Sequence, residues 1–357
     1  MPVESRNVQQ IVPSPASTTR LVVESYVPQR LYWIEGLRGI AVMAVVLQHL
    51  VAERFQSNLY GIRAFIDPGI FGVIVFFCIS GFIIPHSILG LRDNPVLSFP
   101  IARFFRLYPA YWISLMLGAI IFHPHIIDVL WNITMTQRFV GRRDVIGVYW
   151  TLQVELIFYA IFELLLVARK VSVKSVYPAL TITFAVLSIA MGAGRFYLDR
   201  RMPLALTSGL TIMFLATTYF MHLNHGLFSR PGMVLFAAAV FAFLFIAFHL
   251  GYSKDWGFQE TPQRFYAMYL LAPVTFLAFQ ALHLRNAALD FLGTISYSIY
   301  LFHIPVIGMA SALFAGLGIP ASSLISVLCV ILVATLAYHY IEKPFIGLGR
   351  SVRRRIA

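Results

Sequence analysis

Long apolar runs alternate with short polar segments along almost the whole chain. A transmembrane helix needs about 20 mostly apolar residues, and runs of roughly that length recur throughout. The candidate spans are residues 36–53, 69–90, 107–122, 148–168, 176–193, 203–221, 231–250, 264–282, 291–314 and 319–340. The pattern therefore predicts an all-α fold, a polytopic integral membrane helical bundle with about ten transmembrane helices.

The composition supports a single membrane domain. Of the 357 residues, 59% are hydrophobic and 12% are charged, against about 45–50% and about 25% in soluble globular proteins. So little charge cannot cover a water-facing surface. We expect the membrane domain to span residues 31–346, preceded by a disordered cytoplasmic tail at 1–30 and followed by a basic cytoplasmic tail at 347–357.

The net charge of +12 arises from Lys and Arg residues that fall between the apolar runs. Nucleic-acid binding would need these charges gathered on one soluble face, so we predict no nucleic-acid partner. Most of the 27 Lys and Arg residues lie on the cytoplasmic side if both termini are cytoplasmic. Membrane proteins carry more Lys and Arg in their cytoplasmic segments than in their outer ones. The distribution therefore predicts a protein that lies in a lipid bilayer with both termini in the cytoplasm.

Cysteine and histidine usage predicts neither a disulfide framework nor a metal site. Cys78 and Cys329 both lie within apolar runs. The histidines outside the motifs described below have no spacing typical of metal ligands.

The first apolar run, GLRGIAVMAVVLQHL, contains Arg38 and His49. They are eleven residues apart, so they project from nearly the same helix face, about 16 Å apart along the axis. Arg38 is expected near the cytoplasmic boundary and His49 in the outer half of the membrane. A snorkelling arginine and a histidine bonded to a neighbouring helix would give the same pattern, and both interpretations stay open.

Two arginines, Arg103 and Arg106, precede the third apolar run in the segment RFFRLYP. At i and i+3 they share one helix face. Paired guanidinium groups can bind a phosphate or pyrophosphate through bidentate hydrogen bonds. Positive-inside anchoring would explain an isolated pair equally well.

Glu155 lies within the fourth run, in WTLQVELIFY. A carboxylate inside a membrane is costly and usually faces a cavity and a partner. Glu155 and His49 are predicted at similar depths, so we expect Glu155 to orient His49. A purely structural ion pair remains the alternative.

Further polar residues lie on two other apolar runs. Ser296, Tyr300 and His303 follow i, i+4, i+7 spacing, which places them on one helix face, and Ser80 lies mid-membrane in FFCISGF. Such residues can line a cavity or join helices by hydrogen bonds. Glu342, in the closing YIEKPF, is interpreted as a helix-end feature.

Taken in order, these motifs resemble the acyltransferase-3 family of bacterial membrane proteins. The resemblance rests on Arg-x10-His, FFxISGF, RxxRLxP, WTLxxE, SYSIYLxH and IEKPF, and it runs from about residue 31 to residue 346. It implies a multi-pass enzyme of the bacterial cytoplasmic (inner) membrane. Such an enzyme moves an acyl group, usually acetyl, from acyl-CoA to a hydroxyl of a glycan or a glycosylated small molecule such as a macrolide.

The resemblance also implies roles for the site residues. Arg38 and His49 match the family's catalytic pair in the first helix, Arg103 and Arg106 match a pair that serves the acyl-CoA, and Glu155 matches the glutamate after the tryptophan. His49 is then expected to act as general base or to carry the acyl group itself. The remaining candidates, Ser80, Ser296, Tyr300 and His303, are expected to bind the substrates.

Two other functions remain open from the residues alone. A proton-coupled transporter or exporter could use Arg38, His49 and Glu155 as an intramembrane relay. A hybrid could pass the acyl group across the membrane to an acceptor outside.

Overall fold

The computed structural model describes residues 32–54, 65–91, 94–254 and 260–356. The tail predicted at 1–30 lies outside these residues. Every regular element in the described ranges is helical. Ten helices there are long and apolar enough to cross a membrane. The predicted all-helical, multi-span architecture is therefore confirmed.

Thirteen α-helices follow one another in the described residues. They are α1 (Tyr32–Arg54), α2 (Pro68–Leu89), α3 (Pro95–Phe122), α4 (Ile126–Asn132), α5 (Trp150–Val167), α6 (Val176–Leu198), α7 (Leu204–His225), α8 (Arg230–Gly251), α9 (Pro262–Leu282), α10 (Ala287–Thr294), α11 (Ser296–Leu313), α12 (Ile319–Ala337) and α13 (Lys343–Ile356). A π-helical turn, Tyr338–Glu342, joins α12 to α13.

Two predicted spans differ from the helices that form. The span predicted at 107–122 begins twelve residues earlier, at Pro95, so Arg103 and Arg106 lie inside α3 rather than before it. The span predicted at 291–314 is divided at Ile295 into α10 and α11. The basic tail predicted at 347–357 is helical as far as Ile356.

Several helices begin at a polar residue that caps the first turn. Asp67 accepts a hydrogen bond from the Ile70 amide at 2.9 Å, and Pro68 follows it as the first residue of α2. Ser229 and Thr261 cap α8 and α9 in the same way. A capping oxygen satisfies an amide that has no partner within the helix, and proline at the first position loses no hydrogen bond.

Helices α1, α2 and α7 pack closely at the centre of the bundle. α2 contacts α1 on one side and α7 on the other, and α7 is buried along almost its whole length. Gly81 of α2 permits the second contact, because a Cβ there would lie 2.1 Å from the Met213 carbonyl oxygen of α7. Small residues at helix crossings allow this approach in membrane proteins. The packing fixes the wall that carries Ser80.

Candidate active site

A cavity of about 310 Å³ lies among α1, α2, α3, α5 and α11. Its wall is partly apolar, with Phe76 and Phe77 of α2. It also holds every predicted site residue except His49 and His303, namely Arg38, Ser80, Arg103, Arg106, Glu155, Ser296 and Tyr300. Five helices, three from the start of the chain and two from later segments, thus bring most of the candidate residues to one cavity.

Three arginines lie at one end of the cavity, and we call it the arginine end, defined by Arg38, Arg103 and Arg106. Arg38 is paired with Glu35, one turn earlier in α1, at 3.6 Å. Arg103 donates to Ser87 Oγ at 3.5 Å, and its guanidinium carbon lies 5.6 Å from the centroid of the Tyr159 ring. These contacts hold the guanidinium groups at the cavity without using all of their donors.

Glu342 lies at the same end, which corrects its interpretation as a helix-end feature. Its side chain is 2% exposed and accepts a hydrogen bond from Ser298 Oγ at 2.9 Å. It is also the carboxylate that acts most strongly on Arg106. The π-helical turn at Tyr338–Glu342 carries this residue into the bundle. Sequence spacing gave no sign of such a turn.

The structure does not bring Glu155 to His49, so that predicted pairing is wrong. Glu155 Oε1 accepts hydrogen bonds from Ser80 Oγ at 3.2 Å and from the Tyr159 hydroxyl. Its positively charged neighbours are at the arginine end, since it acts on both Arg38 and Arg106. Glu155 therefore belongs to the basic part of the cavity.

The segment before α5 is buried, and this burial places the start of α5 inside the bundle. Ile146 and Tyr149 are buried, so the helix that follows starts inside the bundle instead of at its surface. Asp144 fastens the segment, accepting hydrogen bonds from Gln137 Nε2 at 2.6 Å and from Gln153 Nε2 at 3.0 Å. Burial raises the pKa of the Asp144 carboxyl, although the Arg138 guanidinium at 2.5 Å and the two amides oppose this shift.

His49 and His303 form a pair beyond Tyr300, outside the lining of the cavity. Their ring centroids are 5.1 Å apart, and the His303 and Tyr300 ring centroids are 5.9 Å apart. Tyr300 lines the cavity, and its hydroxyl contacts Thr151 Oγ1 at 2.6 Å and the Val148 carbonyl at 2.9 Å. The tyrosine thus stands between the cavity and the two histidines.

The contacts of His303 settle its tautomer. Nδ1 lies 2.8 Å from the Tyr300 carbonyl oxygen, which can only accept, so Nδ1 carries the proton. Nε2 is then a bare acceptor, and within the described residues it is buried without a hydrogen-bond partner. A buried lone pair beside His49 can accept a hydrogen bond from a donor that reaches it.

Asp67 is a residue of this region that the motifs missed. It is 9% exposed, lies 3.8 Å from Arg264 Nη1, and is the charged group that acts on His49. The sequence did carry a local signal, because Asp followed by Pro before an apolar run is a helix-start pattern. Nothing local indicated that the capped helix would face His49.

Comparison with known proteins gives one family. The family model of the acyltransferase-3 type, described as an acyltransferase domain, matches residues 31–340. No solved structure matches the chain significantly.

Individual relatives are distant but cover most of the chain. A Staphylococcus aureus (strain COL) protein named "putative O-acetyltransferase" is 26% identical over 363 residues, covering 87% of this chain and 56% of the relative. The Rhizobium meliloti (strain 1021) exopolysaccharide production protein ExoZ is 29% identical over 303 residues, covering 80% and 92%. The Bacillus subtilis (strain 168) "putative peptidoglycan O-acetyltransferase YrhL" is 24% identical over 369 residues, covering 90% and 56%. The chain thus spans about half the length of the first and third relatives.

Proposed function

This chain belongs to the acyltransferase-3 family, and from that membership we propose that it transfers an acyl group, acetyl in the first instance, from acyl-CoA to a hydroxyl of a glycan. The observation that carries the proposal is the cavity. It has three arginines at one end and, at the other, a tyrosine that leads to two neighbouring histidines.

The arginine end is the donor site in this proposal. Arg103 and Arg106 take the pyrophosphate of CoA, and Arg38 adds a third guanidinium, since such groups bind phosphate oxygens through charge-assisted hydrogen bonds. The pantetheine arm enters the cavity past Ser80. Its reach matches the roughly 16 Å between Arg38 and His49 on α1. Acyl-CoA is made in the cytoplasm, so we place the arginine end and both termini on the cytoplasmic side of the inner membrane.

His49 is the general base in the transfer step. It accepts the proton of the acceptor hydroxyl while the hydroxyl oxygen attacks the thioester carbonyl. The new C–O ester bond forms, the C–S bond breaks, and the CoA thiolate leaves and takes up the proton from the His49 imidazolium, which restores the base. The imidazolium that forms can donate a hydrogen bond to the bare Nε2 of His303, and the negative charge of Asp67 offsets part of the cost of burying it. An acyl-His49 intermediate uses the same groups in two steps.

Hydroxyl groups on the cavity wall assist the reacting carbonyl. Ser296 Oγ is buried and has no hydrogen-bond partner within the described residues. Its hydroxyl is free to donate to the oxygen that becomes negative in the transition state, which is a large source of rate enhancement. The O–H groups of Tyr300 and Ser80 already donate to the Val148 carbonyl and to Glu155, so these two residues hold the wall around the reacting carbonyl. Glu155 now has a different role from the one first expected: it holds Ser80 and balances the charge of Arg38 and Arg106.

A sugar hydroxyl of a surface polysaccharide is the acceptor class that we propose. Two relatives carry names that refer to exopolysaccharide production and to peptidoglycan. Because His49 lies on the side of Tyr300 away from the arginine end, the acceptor approaches from the opposite end of the bundle. Donor and acceptor would then meet inside the membrane domain from opposite sides.

The test is release of CoA from acetyl-CoA by the purified protein in nanodiscs, with and without a panel of glycan acceptors. We expect an effective acceptor to accelerate release and His49→Ala to lower the accelerated rate by about 10²-fold or more. His249→Ala is the matched control, because His249 is an exposed histidine stacked on Phe245 in α8. Equal rates for His49→Ala and the control would refute the proposal. Proton-coupled uptake that needs His49, without CoA turnover, would replace it with a transporter.

A further inference from the structure

The last helix, α13, packs against the beginning of α3 beside the arginine end. Gly349 faces Phe105 so closely that a Cβ at Gly349 would lie 2.8 Å from Phe105 Cβ. The contact lets the backbone of α13 lie directly on α3. It brings the basic residues of the last turns, Arg353 among them, next to Arg103.

Arg353 and Arg103 each have a guanidinium donor without a partner among the described residues. Among the described residues, the charged groups that act on Arg353 are Arg103 and Arg350, both of the same sign. The Nε atoms of Arg353 and Arg103 are buried, and neither has a hydrogen-bond partner within the described residues. Buried donors without partners are rare because they are costly, and two like charges beside each other add repulsion. A bound anion between them would remove both costs.

The position of the pair indicates which anion. Arg103 lines the cavity, whereas Arg353 does not, so Arg353 lies beside Arg103 and away from the cavity. A CoA whose pantetheine arm fills the cavity, and whose pyrophosphate lies on Arg103 and Arg106, has one further phosphate, on the 3′ carbon of its ribose. That group lies farther out along the same molecule.

We infer that Arg353, together with Arg103, forms a phosphate-binding site at the mouth of the cavity, and that its ligand is the 3′-phosphate of the CoA donor. The inference rests on the proposed function, because it assumes an acyl-CoA donor at the arginine end. It makes α13 part of the donor site and assigns Arg353 the selection of CoA over forms that lack this phosphate. The headgroup of an anionic phospholipid has the same chemistry and is the competing occupant.

The experiment titrates CoA and 3′-dephospho-CoA into the full chain in nanodiscs of zwitterionic lipid. We expect Arg353→Gln to raise the Kd for CoA by about tenfold or more, as for a lost hydrogen bond to a charged group, and to leave the Kd for 3′-dephospho-CoA within about twofold. Arg354→Gln removes an exposed charge from the same helix and should change neither value by more than about twofold. Arg353→Lys, which keeps the charge, should recover part of the affinity and shows that the glutamine variant has not simply unfolded.

Other results would overturn the inference. Equal effects of Arg353→Gln on both ligands, or no effect on either, would exclude the 3′-phosphate. If the Kd for CoA differs between Arg353→Gln and wild type only in nanodiscs that contain phosphatidylglycerol, the site binds lipid instead. If wild type binds neither CoA nor 3′-dephospho-CoA, the proposed donor fails along with this inference. If wild type binds CoA and Arg353→Gln binds it equally well, the inference alone fails.

Discussion

Gly81 offers the sharpest test of how the cavity wall is built. A methyl group at this position would lie 2.1 Å from the Met213 carbonyl oxygen and 2.9 Å from Ala216 Cβ. Both belong to α7, and the carbonyl is backbone that cannot rotate away. Ordinary contacts of this kind are about 3.5 Å, so Gly81→Ala must push α2 and α7 apart by more than about 1 Å.

The expected magnitude follows from the overpacking. Inserting a methyl group into a close-packed core costs about 1–3 kcal/mol, and the rigidity of the opposing carbonyl places Gly81→Ala at the upper end. Alanine in place of glycine favours a helix by up to about 1 kcal/mol, which offsets part of the loss. We therefore expect the free energy of unfolding to fall by about 1–2 kcal/mol.

Gly308→Ala is the matched control. Gly308 also lies inside a membrane-spanning helix, α11, but a Cβ there would meet no atom within 4 Å. We expect this variant to equal or exceed wild type in stability. Denaturation in mixed micelles, followed by the loss of helical signal, measures both variants. Gly81→Ala that is as stable as Gly308→Ala would refute the close packing of α2 on α7. In the destabilised variant we also expect weaker CoA binding, because Ser80 moves with α2.

Three further predictions concern the groups around the cavity. Tyr159→Phe removes a hydroxyl that donates to Glu155 but keeps the ring beneath Arg103. Because the lost hydrogen bond is to a carboxylate, we expect about 1.5–3 kcal/mol less stability in denaturation experiments, with a CoA affinity within about threefold of wild type. A tenfold loss of affinity would contradict this. His303→Asn should lower turnover at least about tenfold with an unchanged Kd for CoA, because His303 lies beside His49 and outside the cavity. Unchanged turnover would show that His303 does not assist His49. Burial raises the pKa of Asp144 in the folded state, so ionising this carboxyl costs more in the folded protein than in the unfolded chain. Wild type should therefore lose stability relative to Asp144→Asn as the pH rises from about 3.9 through the raised pKa. Parallel stability curves for these two proteins would show that Asp144 is not perturbed.

The helices were predictable because each membrane span needs a long apolar run, and such runs are visible without an alignment. The start of α3 was missed, since residues 95–106 include two prolines and two arginines and resemble a loop in composition. The break at Ile295 was missed because no glycine or proline lies at that position. Residues 343–356 contain two glycines and a run of arginines, which is typical of a tail, yet packing on α3 makes them helical.

The cavity residues were predictable as a set, but their partners were not. Arg38, Arg103 and Arg106 stand out because charges in apolar helices require a reason. The prediction was weakest for the depth of each residue within its helix bundle. The prediction that Glu155 meets His49 assumed that α5 begins at the membrane surface, whereas its first turn and the segment before it are buried in the bundle. Long-range burial of a loop leaves no periodic signal in a sequence, and the same is true of the meeting of His49 with His303.

The central claim is that the arginine end binds the donor and His49 performs the transfer. Its most direct test measures acetyl-CoA affinity and turnover in parallel for Arg106→Gln and His49→Gln in nanodiscs. We predict a separation of effects. Arg106→Gln should raise the Kd about tenfold or more, whereas His49→Gln should leave the Kd within about twofold and lower acceptor-dependent turnover by about 10²-fold or more. Loss of acetyl-CoA binding in His49→Gln, or unchanged binding in Arg106→Gln, would contradict the account.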